Sequence, residues 1–245
     1  MNNTINNKMD TIDILCVGEV LVDFIGHQEG VLINETRDYH RYLGGSPTNV
    51  AINSTRLGLN TIMVATVGND GFGSYITERL SSVGVNTNHL NVLENKSTSV
   101  IFVSRSDGTP DFIPYRSADC CIYEEQISSE ILSHTKIFHT TCFALSKNPA
   151  QKTILKKAQE AHDLGCKLSI DLNYAKKLWK SQKKAFKVIK TYCQFNPLIK
   201  ISEDDMLRLF EKELPHEEIF EFFHHQGVDT VCLTLGSKGV KLSQK

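Results

Sequence analysis

The 245-residue chain is poor in tryptophan (one) and proline (six), and it has no excess of either charge: 27 basic and 28 acidic residues leave a formal net charge of −1. Without a basic excess, neither nucleic acid nor an anionic membrane is favoured as a partner. No apolar run approaches the ~18 residues of a membrane span. The start, Met1 to Asp13, is polar and rich in Asn, and it lacks the apolar core of a signal peptide. No Cys-x-x-Cys occurs. The seven cysteines, Cys16, Cys120, Cys121, Cys142, Cys166, Cys193 and Cys232, are odd in number and scattered. Most lie within apolar stretches such as Leu15-Cys16-Val17, so buried free thiols in a reducing cytoplasm are expected, not disulfides or a metal centre. The histidines, including His139 and the pair His224-His225, have no metal-ligand spacing, and no Ser/His/Asp or Cys/His arrangement is present.

What is present is a regular alternation. Hydrophobic residues make up 40% of the chain, enough for a full core. Short apolar runs predict strands over 14–17, 62–67, 136–140, 168–172, 198–201 and 230–235. Between them, helical patterns cover 47–57, 73–83, 149–164, 181–194, 202–210 and 215–226. Ser46 is the expected N-cap of the first helix, with Pro47 at its first position and Gly58 as its stop. The third ends at Gly165. Strand-helix alternation predicts a single α/β domain over 1–245, with a mainly parallel sheet and helices on both faces.

Two segments, about 22–43 and 88–115, break the alternation with strand-like pieces and no helix. Ser99 to Val103 and Asp111 to Tyr115 flank a turn with Asp107-Gly108 and read as a hairpin. Together the two segments are expected to form a small sheet, a lid projecting from the main one.

The chemistry-bearing motif is Gly44-Gly45-Ser46-Pro47-Thr48-Asn49-Val50-Ala51, between a strand pattern and a helix start. Glycines let backbone approach closely, the helix start offers free N–H groups, and the Asn49 amide both donates and accepts. This set suits the hydroxyls of a small polar ligand; a plain strand-to-helix turn is the alternative. The spacing from Gly44 through Asn49, Ala51 and Gly58 to Gly68 resembles the N-terminal signature of the ribokinase-like (PfkB) sugar kinases.

The resemblance extends from about Asp13 to Lys245. Gly18 to Phe24 resembles the family's first strand and its exit, which implies a sugar-hydroxyl contact for Asp23, with Gly44, Gly45 and Asn49 beside it. Gly68 to Gly73 resembles a strand-turn-helix read as structural. Tyr115-Arg116-Ser117-Ala118-Asp119 resembles the lid segment of fructokinases and 2-keto-3-deoxygluconate kinases, which implies that Tyr115 and Arg116 reach the sugar. Asp171-Leu172-Asn173-Tyr174-Ala175 matches a family pattern Asp-x-Asn-x-Arg except that Ala175 replaces the Arg; Lys176 or Lys177 is the candidate substitute. Lys200 to Asp205 resembles an Asn-x-x-Glu element, with Ser202 and Asp205 at the marked places. The resemblance implies a water-mediated magnesium contact for Asp205; a capped acidic helix start is the alternative. Thr234-Leu235-Gly236-Ser237-Lys238-Gly239 resembles the turn that receives ATP, and a tight hairpin is its alternative. Asn173, Lys200, Asp205, Thr234, Gly236 and Gly239 are thus the implied nucleotide contacts.

The resemblance implies a cytoplasmic ATP- and Mg2+-dependent kinase of a small sugar, with a monovalent-cation site and a homodimer through the lid. Fructose is the expected sugar, ahead of 2-keto-3-deoxygluconate and ribokinase-type substrates. The family's Gly-Ala-Gly-Asp segment, with its anion hole and base, is not found before Lys245. The chain is therefore expected to be C-terminally truncated, to lack the catalytic Asp and to be inactive. A non-catalytic sugar- or partner-binding product is the alternative from another class.

Overall fold

A computed structural model describes residues 10–106 and 111–245. Its strands, in chain order, are β1 (Ile12–Val17), β2 (Leu21–Glu29), β3 (Tyr39–Gly44), β4 (Thr61–Gly68), β5 (Leu90–Leu93), β6 (Val100–Arg105), β7 (Phe112–Tyr115), β8 (Thr135–Thr141), β9 (Lys167–Asp171), β10 (Leu198–Ser202), β11 (Thr230–Thr234) and β12 (Val240–Gln244). Eight of them form one sheet in the order β12-β11-β10-β9-β8-β1-β4-β5, parallel except for the antiparallel edge strand β12. Residues of β4 are buried along its whole length, as a strand covered on both faces requires. The other four strands form the lid, in the order β3-β2-β6-β7.

The helices are α1 (Ser46–Arg56), α2 (Gly71–Ser82), α3 (Ser129–Ser133), α4 (Ala150–Asp163), α5 (Gln182–Cys193), α6 (Glu203–Phe210) and α7 (His216–His225). Helices α4 to α7 pack on one face of the main sheet, where Phe138, Tyr174, Tyr192 and Phe223 are fully buried in the largest core. Helices α1 and α2 lie on the other face and cover Cys16, Met63, Ala65 and Val67 of β1 and β4. From β9 to β12 no helix among the described residues covers that second face, which carries a cavity of about 540 Å³ lined by Ile137, Ser169, Leu198 and Thr230. The expected α/β fold, a mainly parallel sheet with helices on both faces and a small second sheet, is present.

Several local expectations shift. The segment 88–115 does not belong wholly to the lid: β5 pairs in parallel with β4 at the edge of the main sheet. The hairpin of β6 and β7 forms as expected, while its Asp107-Gly108 turn lies outside the described residues. The sequence pattern passed over α3 and β12 because both are short and lack clear periodicity. Gly45, not Ser46, occupies the cap position of α1, so Ser46 is its first residue and Pro47 its second. At α2 the Asp70 carboxylate accepts hydrogen bonds from Phe72 N at 3.0 Å and Gly73 N at 2.9 Å, and also from Thr98 N at 2.7 Å. That ties the helix start to the strand exit before β6 and fits the structural reading of this stretch. All seven cysteines are free thiols, and only Cys232 among them is not fully buried. No helix of the described residues is long and apolar enough to cross a membrane.

Candidate active site

Strand β1 lies between β8 and β4, so the chain runs one way to β4 and β5 and the other way from β8 to β12. Ligands of open α/β sheets bind outside the carboxyl ends of the strands at such a reversal. Here those ends present Glu19 after β1, Thr141 of β8, Asp171 of β9, Ser202 of β10 and Thr234 of β11. The lid sheet stands over them.

Asp23 projects from the inner face of the lid, in register with Tyr42 on β3 and Ile101 on β6. Its neighbours on that face, Leu21 and Ile101, pack on Phe143, and Val103 and Phe112 join the same cluster with Leu178. This apolar contact seats the lid on the body. The Asp23 carboxylate has no hydrogen-bond donor among the described residues, and burial pushes its pKa up to about 6. A half-buried carboxylate without a protein donor is a ready acceptor for ligand hydroxyls.

Gly44 and Gly45 shape the turn beside it. A Cβ on Gly44 would meet Asp23 Oδ2 at 2.3 Å. Gly45 has φ +105, which side chains rarely adopt, and a Cβ there would meet the Glu19 carbonyl at 2.3 Å. Asn49, in the second turn of α1, is exposed and lines a groove of about 250 Å³ with Tyr42 and Leu43 of the lid. Its side chain makes no hydrogen bond among the described residues.

Tyr115 is placed differently from the expectation. It is paired with Val100, one register step from the Ile101–Asp23 pair, so it points to the opposite face of the lid, which packs on α2 through Val22, Phe24 and Val100. There it packs edge-on against Phe102 and is 60% exposed. The alternation of side chains along a strand separates it from Asp23. Arg116 follows it but is buried and already engaged. Its Nε donates to Asp119 Oδ2 at 2.8 Å, its Nη2 lies 2.6 Å from the same oxygen, and its Nη1 donates to Ser146 Oγ. Its guanidinium sits 4.2 Å above the Phe143 ring. Asp119, with no exposed surface, accepts a further hydrogen bond from Ser99 Oγ at 2.5 Å.

Glu19 is a residue the sequence reading missed. It is almost fully buried, accepts from Thr141 Oγ1 at 2.6 Å and from Ser46 N at 3.2 Å, and its carbonyl accepts from Thr48 Oγ1 at 3.2 Å. It therefore pins the start of α1 to the ends of β1 and β8. Desolvation lifts its pKa to about 7. The available signal was a lone carboxylate directly after a buried apolar strand.

On the sheet side, Asp171 accepts from Ser46 Oγ at 2.7 Å and pairs with Lys200 at 3.0 Å. Asn173 Oδ1 accepts from Phe143 N at 3.1 Å. Asp205 closes a capping box with Ser202: its Oδ2 accepts from Ser202 Oγ at 2.6 Å, and Ser202 Oγ accepts from Asp205 N at 3.0 Å. Its other oxygen accepts from Arg208 at 2.9 Å, and burial raises its pKa. The capped acidic helix start is thus formed in full. Among the described residues no group of three or more His, Cys, Asp or Glu side chains is arranged to hold a metal. Thr234, Gly236 and Gly239 bracket the turn from β11 to the antiparallel β12, and nothing stands within 4 Å of a Cβ on either glycine. Of the two candidates to replace the Ala175 arginine, Lys176 pairs with Glu211 at 2.8 Å, away from the lid. Lys177 reaches the lid instead, bonding the Asp111 carboxylate and donating to the Phe112 carbonyl at 3.2 Å.

Comparison with known proteins gives this arrangement its lineage. The sequence profile of the pfkB family carbohydrate kinases matches residues 11–245. The chain belongs to this family. It is 35% identical to the ATP-dependent 6-phosphofructokinase of Thermoanaerobacterium thermosaccharolyticum over 94% of this chain and 71% of that protein. Its fold superposes on the fructokinase of Halothermothrix orenii with a TM-score of 0.88 and 33% identity, covering 95% of this chain and 82% of that one. A sugar kinase of Pyrococcus horikoshii in complex with ATP matches with a TM-score of 0.80 and 28% identity, over 95% of this chain and 74% of that one. As a pfkB-family member the chain is by lineage a phosphotransferase acting on carbohydrate, with the ribokinase-like fold expected from its glycine motif.

Proposed function

We propose that this pfkB-family chain binds a neutral hexose, most simply fructose, between Asp23, Gly44, Gly45 and Asn49, as the acceptor part of an ATP-dependent sugar kinase. The observation that carries the reading is the Asp23 carboxylate, held half-buried against Gly44 with no protein donor among the described residues. Two sugar hydroxyls can donate to it, and the turn N–H groups and the Asn49 amide add further partners. The nucleotide would approach from the β11–β12 turn, where Thr234, Gly236 and Gly239 leave the backbone open, with Lys200 and Asn173 towards the sugar. Mg2+ would enter this site as a companion of the nucleotide phosphates. Asp205 would act on it only through water. The monovalent cation and the lid-to-lid homodimer remain part of the same reading.

The neutral sugar is preferred because a phosphorylated or carboxylated one needs a free cation. Arg116 is bound by Asp119 and Ser146, Lys177 by Asp111 and Phe112, and Ala175 supplies none, which leaves Arg56 and Arg79 in the Asn49 groove, without an acidic partner among the described residues, as the cations an anionic sugar would have to use. Fructose 6-phosphate, the acceptor that the Thermoanaerobacterium relative's name indicates, is the second reading, followed by 2-keto-3-deoxygluconate and ribose. Phosphoryl transfer also needs a base for the acceptor hydroxyl and donors for developing charge. Glu19, Asp119, Asp171 and Asp205 each carry protein partners, and Asp23, which has none among the described residues, is taken up in this reading by the sugar hydroxyls. We therefore propose binding without turnover for these 245 residues.

The test is a panel of fructose, fructose 6-phosphate, 2-keto-3-deoxygluconate and ribose, read by thermal shift and by ADP release in the presence of Mg2+ and ATP. Fructose should raise the melting temperature most, with ADP release at the level of the sugar-free control. A larger shift with an anionic sugar would overturn the neutral-sugar assignment, and no shift with any of the four would overturn the site.

A further inference from the structure

The net charge of −1 conceals a strong local imbalance. Between positions 147 and 190 the sequence holds twelve lysines and three acidic residues. Part of this excess is spent in ion pairs: Lys156 with Glu124, Lys157 with Glu160, Lys176 with Glu211 and Lys177 with Asp111. Lys147, Lys180, Lys184 and Lys187 have no acidic partner among the described residues. These four converge. Lys147 precedes α4, Lys180 precedes α5, and Lys184 and Lys187 sit on α5 three residues apart, on one face of that helix. Together they line a cleft of about 580 Å³ between α4 and α5, whose apolar wall includes Leu155 and Trp179.

The bland reading of a lysine-rich helix face is a solvated surface, and α5 does bury its opposite side through Ala185, Ile189, Tyr192 and Cys193. A convex solvated face, however, would not place lysines from two further segments around one concavity. Like charges facing each other across a cleft focus a positive potential into it, and this raises the local concentration of anions. The volume suits a small molecule rather than a macromolecule. The cleft lies on the helix side of the sheet, behind α4 and α5, and none of the residues assigned above to sugar or nucleotide lines it.

We infer that this cleft is a second ligand site, for a small polyanion carrying two or more phosphate groups. The lysines supply the charge contacts. Half-buried Leu155, with the small exposed edge of the otherwise buried Trp179, supplies an apolar surface that a nucleobase would cover and that a bare phosphate chain or a sugar bisphosphate would leave open.

The experiment titrates inorganic tripolyphosphate into the 245-residue chain by calorimetry at low ionic strength. It compares wild type, the double variant Lys184→Gln/Lys187→Gln, and a control, Lys152→Gln/Lys183→Gln, that removes the same charge outside the cleft. All four positions are exposed, so the fold is expected to tolerate each change. The cleft variant should lose about tenfold or more in affinity while the control stays within about twofold of wild type. Asp23→Ala should bind the probe as wild type does, which separates this site from the sugar reading. Competition by a nucleoside triphosphate at lower concentration than by a hexose bisphosphate would name a nucleotide as the source, and the reverse order a sugar phosphate. Equal losses in the cleft and control variants would reduce the effect to net charge and overturn the site. So would the absence of saturable binding, or loss of binding in Asp23→Ala.

Discussion

A Cβ on residue 44 would stand 2.3 Å from Asp23 Oδ2, so the carboxylate of Asp23 lies where it does because residue 44 is glycine. The two residues sit on adjacent lid strands, and the second strand leads directly into α1. Backbone shape and ligand chemistry are therefore coupled at one point.

Gly44→Ala should displace the Asp23 side chain and crowd Leu21, whose Cδ1 the new methyl would meet at 2.7 Å. Overpacking of this kind costs about 1–3 kcal/mol. Sugar affinity should fall at least about tenfold as the acceptor moves. Calorimetry with fructose and urea unfolding of the same variant read the two effects separately.

Sugar binding should depend on pH through Asp23. Its pKa is raised to about 6, and only the ionised form accepts from two hydroxyls. Binding should be flat above neutrality and weaken by about tenfold for each pH unit below 6. Asp23→Asn should bind weakly and without that pH dependence. A fructose titration series from pH 5 to pH 8 measures this.

Glu19 sets a stability trend with the opposite sense. Its folded-state pKa of about 7 stands above its ordinary value of 4.5, so the native state holds a proton that the unfolded chain releases. The stabilisation is fully present below about pH 4.5 and is lost as pH rises through about 7. The loss should be on the order of 1–3 kcal/mol. Glu19→Gln, neutral at every pH, should flatten that part of the stability curve. Urea midpoints at pH 5 and pH 8 for both proteins check it.

The Arg116–Asp119 pair is dry: the two side chains are 7% and 0% exposed. Arg116→Met leaves the Asp119 charge uncompensated and should destabilise the chain by about 3–5 kcal/mol. Adding Asp119→Leu should restore part of that loss, because the stranded charge is then gone too. Equilibrium unfolding of the single and double variants gives the answer.

The main sheet was legible because its strands are short apolar runs, most of them bounded by Gly, Asn or Asp, that alternate with helical periods. Gly44 and Gly45 stood out in the sequence through the spacing that runs on to Asn49, Ala51, Gly58 and Gly68, and Asp23 only through the resemblance of Gly18 to Phe24 to the family's first strand. Tyr115 was misplaced because sequence adjacency to Arg116 says nothing about which face of a strand a side chain takes. The register with Val100 decides that, and register is a tertiary property. Glu19 escaped for a related reason: its partners Thr141 and Ser46 are 122 and 27 residues away in sequence. The split of 88–115 between β5 and the lid is equally a matter of which strand lies beside which. The four-lysine cleft was hidden by a net charge near zero.

A calorimetric titration of fructose into the wild-type chain and into Asp23→Ala decides whether the carboxylate holds the sugar. Binding to the wild type should saturate and should be lost in the variant, with the variant's melting temperature in the absence of sugar close to that of the wild type. Equal binding by both proteins would contradict this assignment, because the sugar would then be held without the carboxylate on which the site is built.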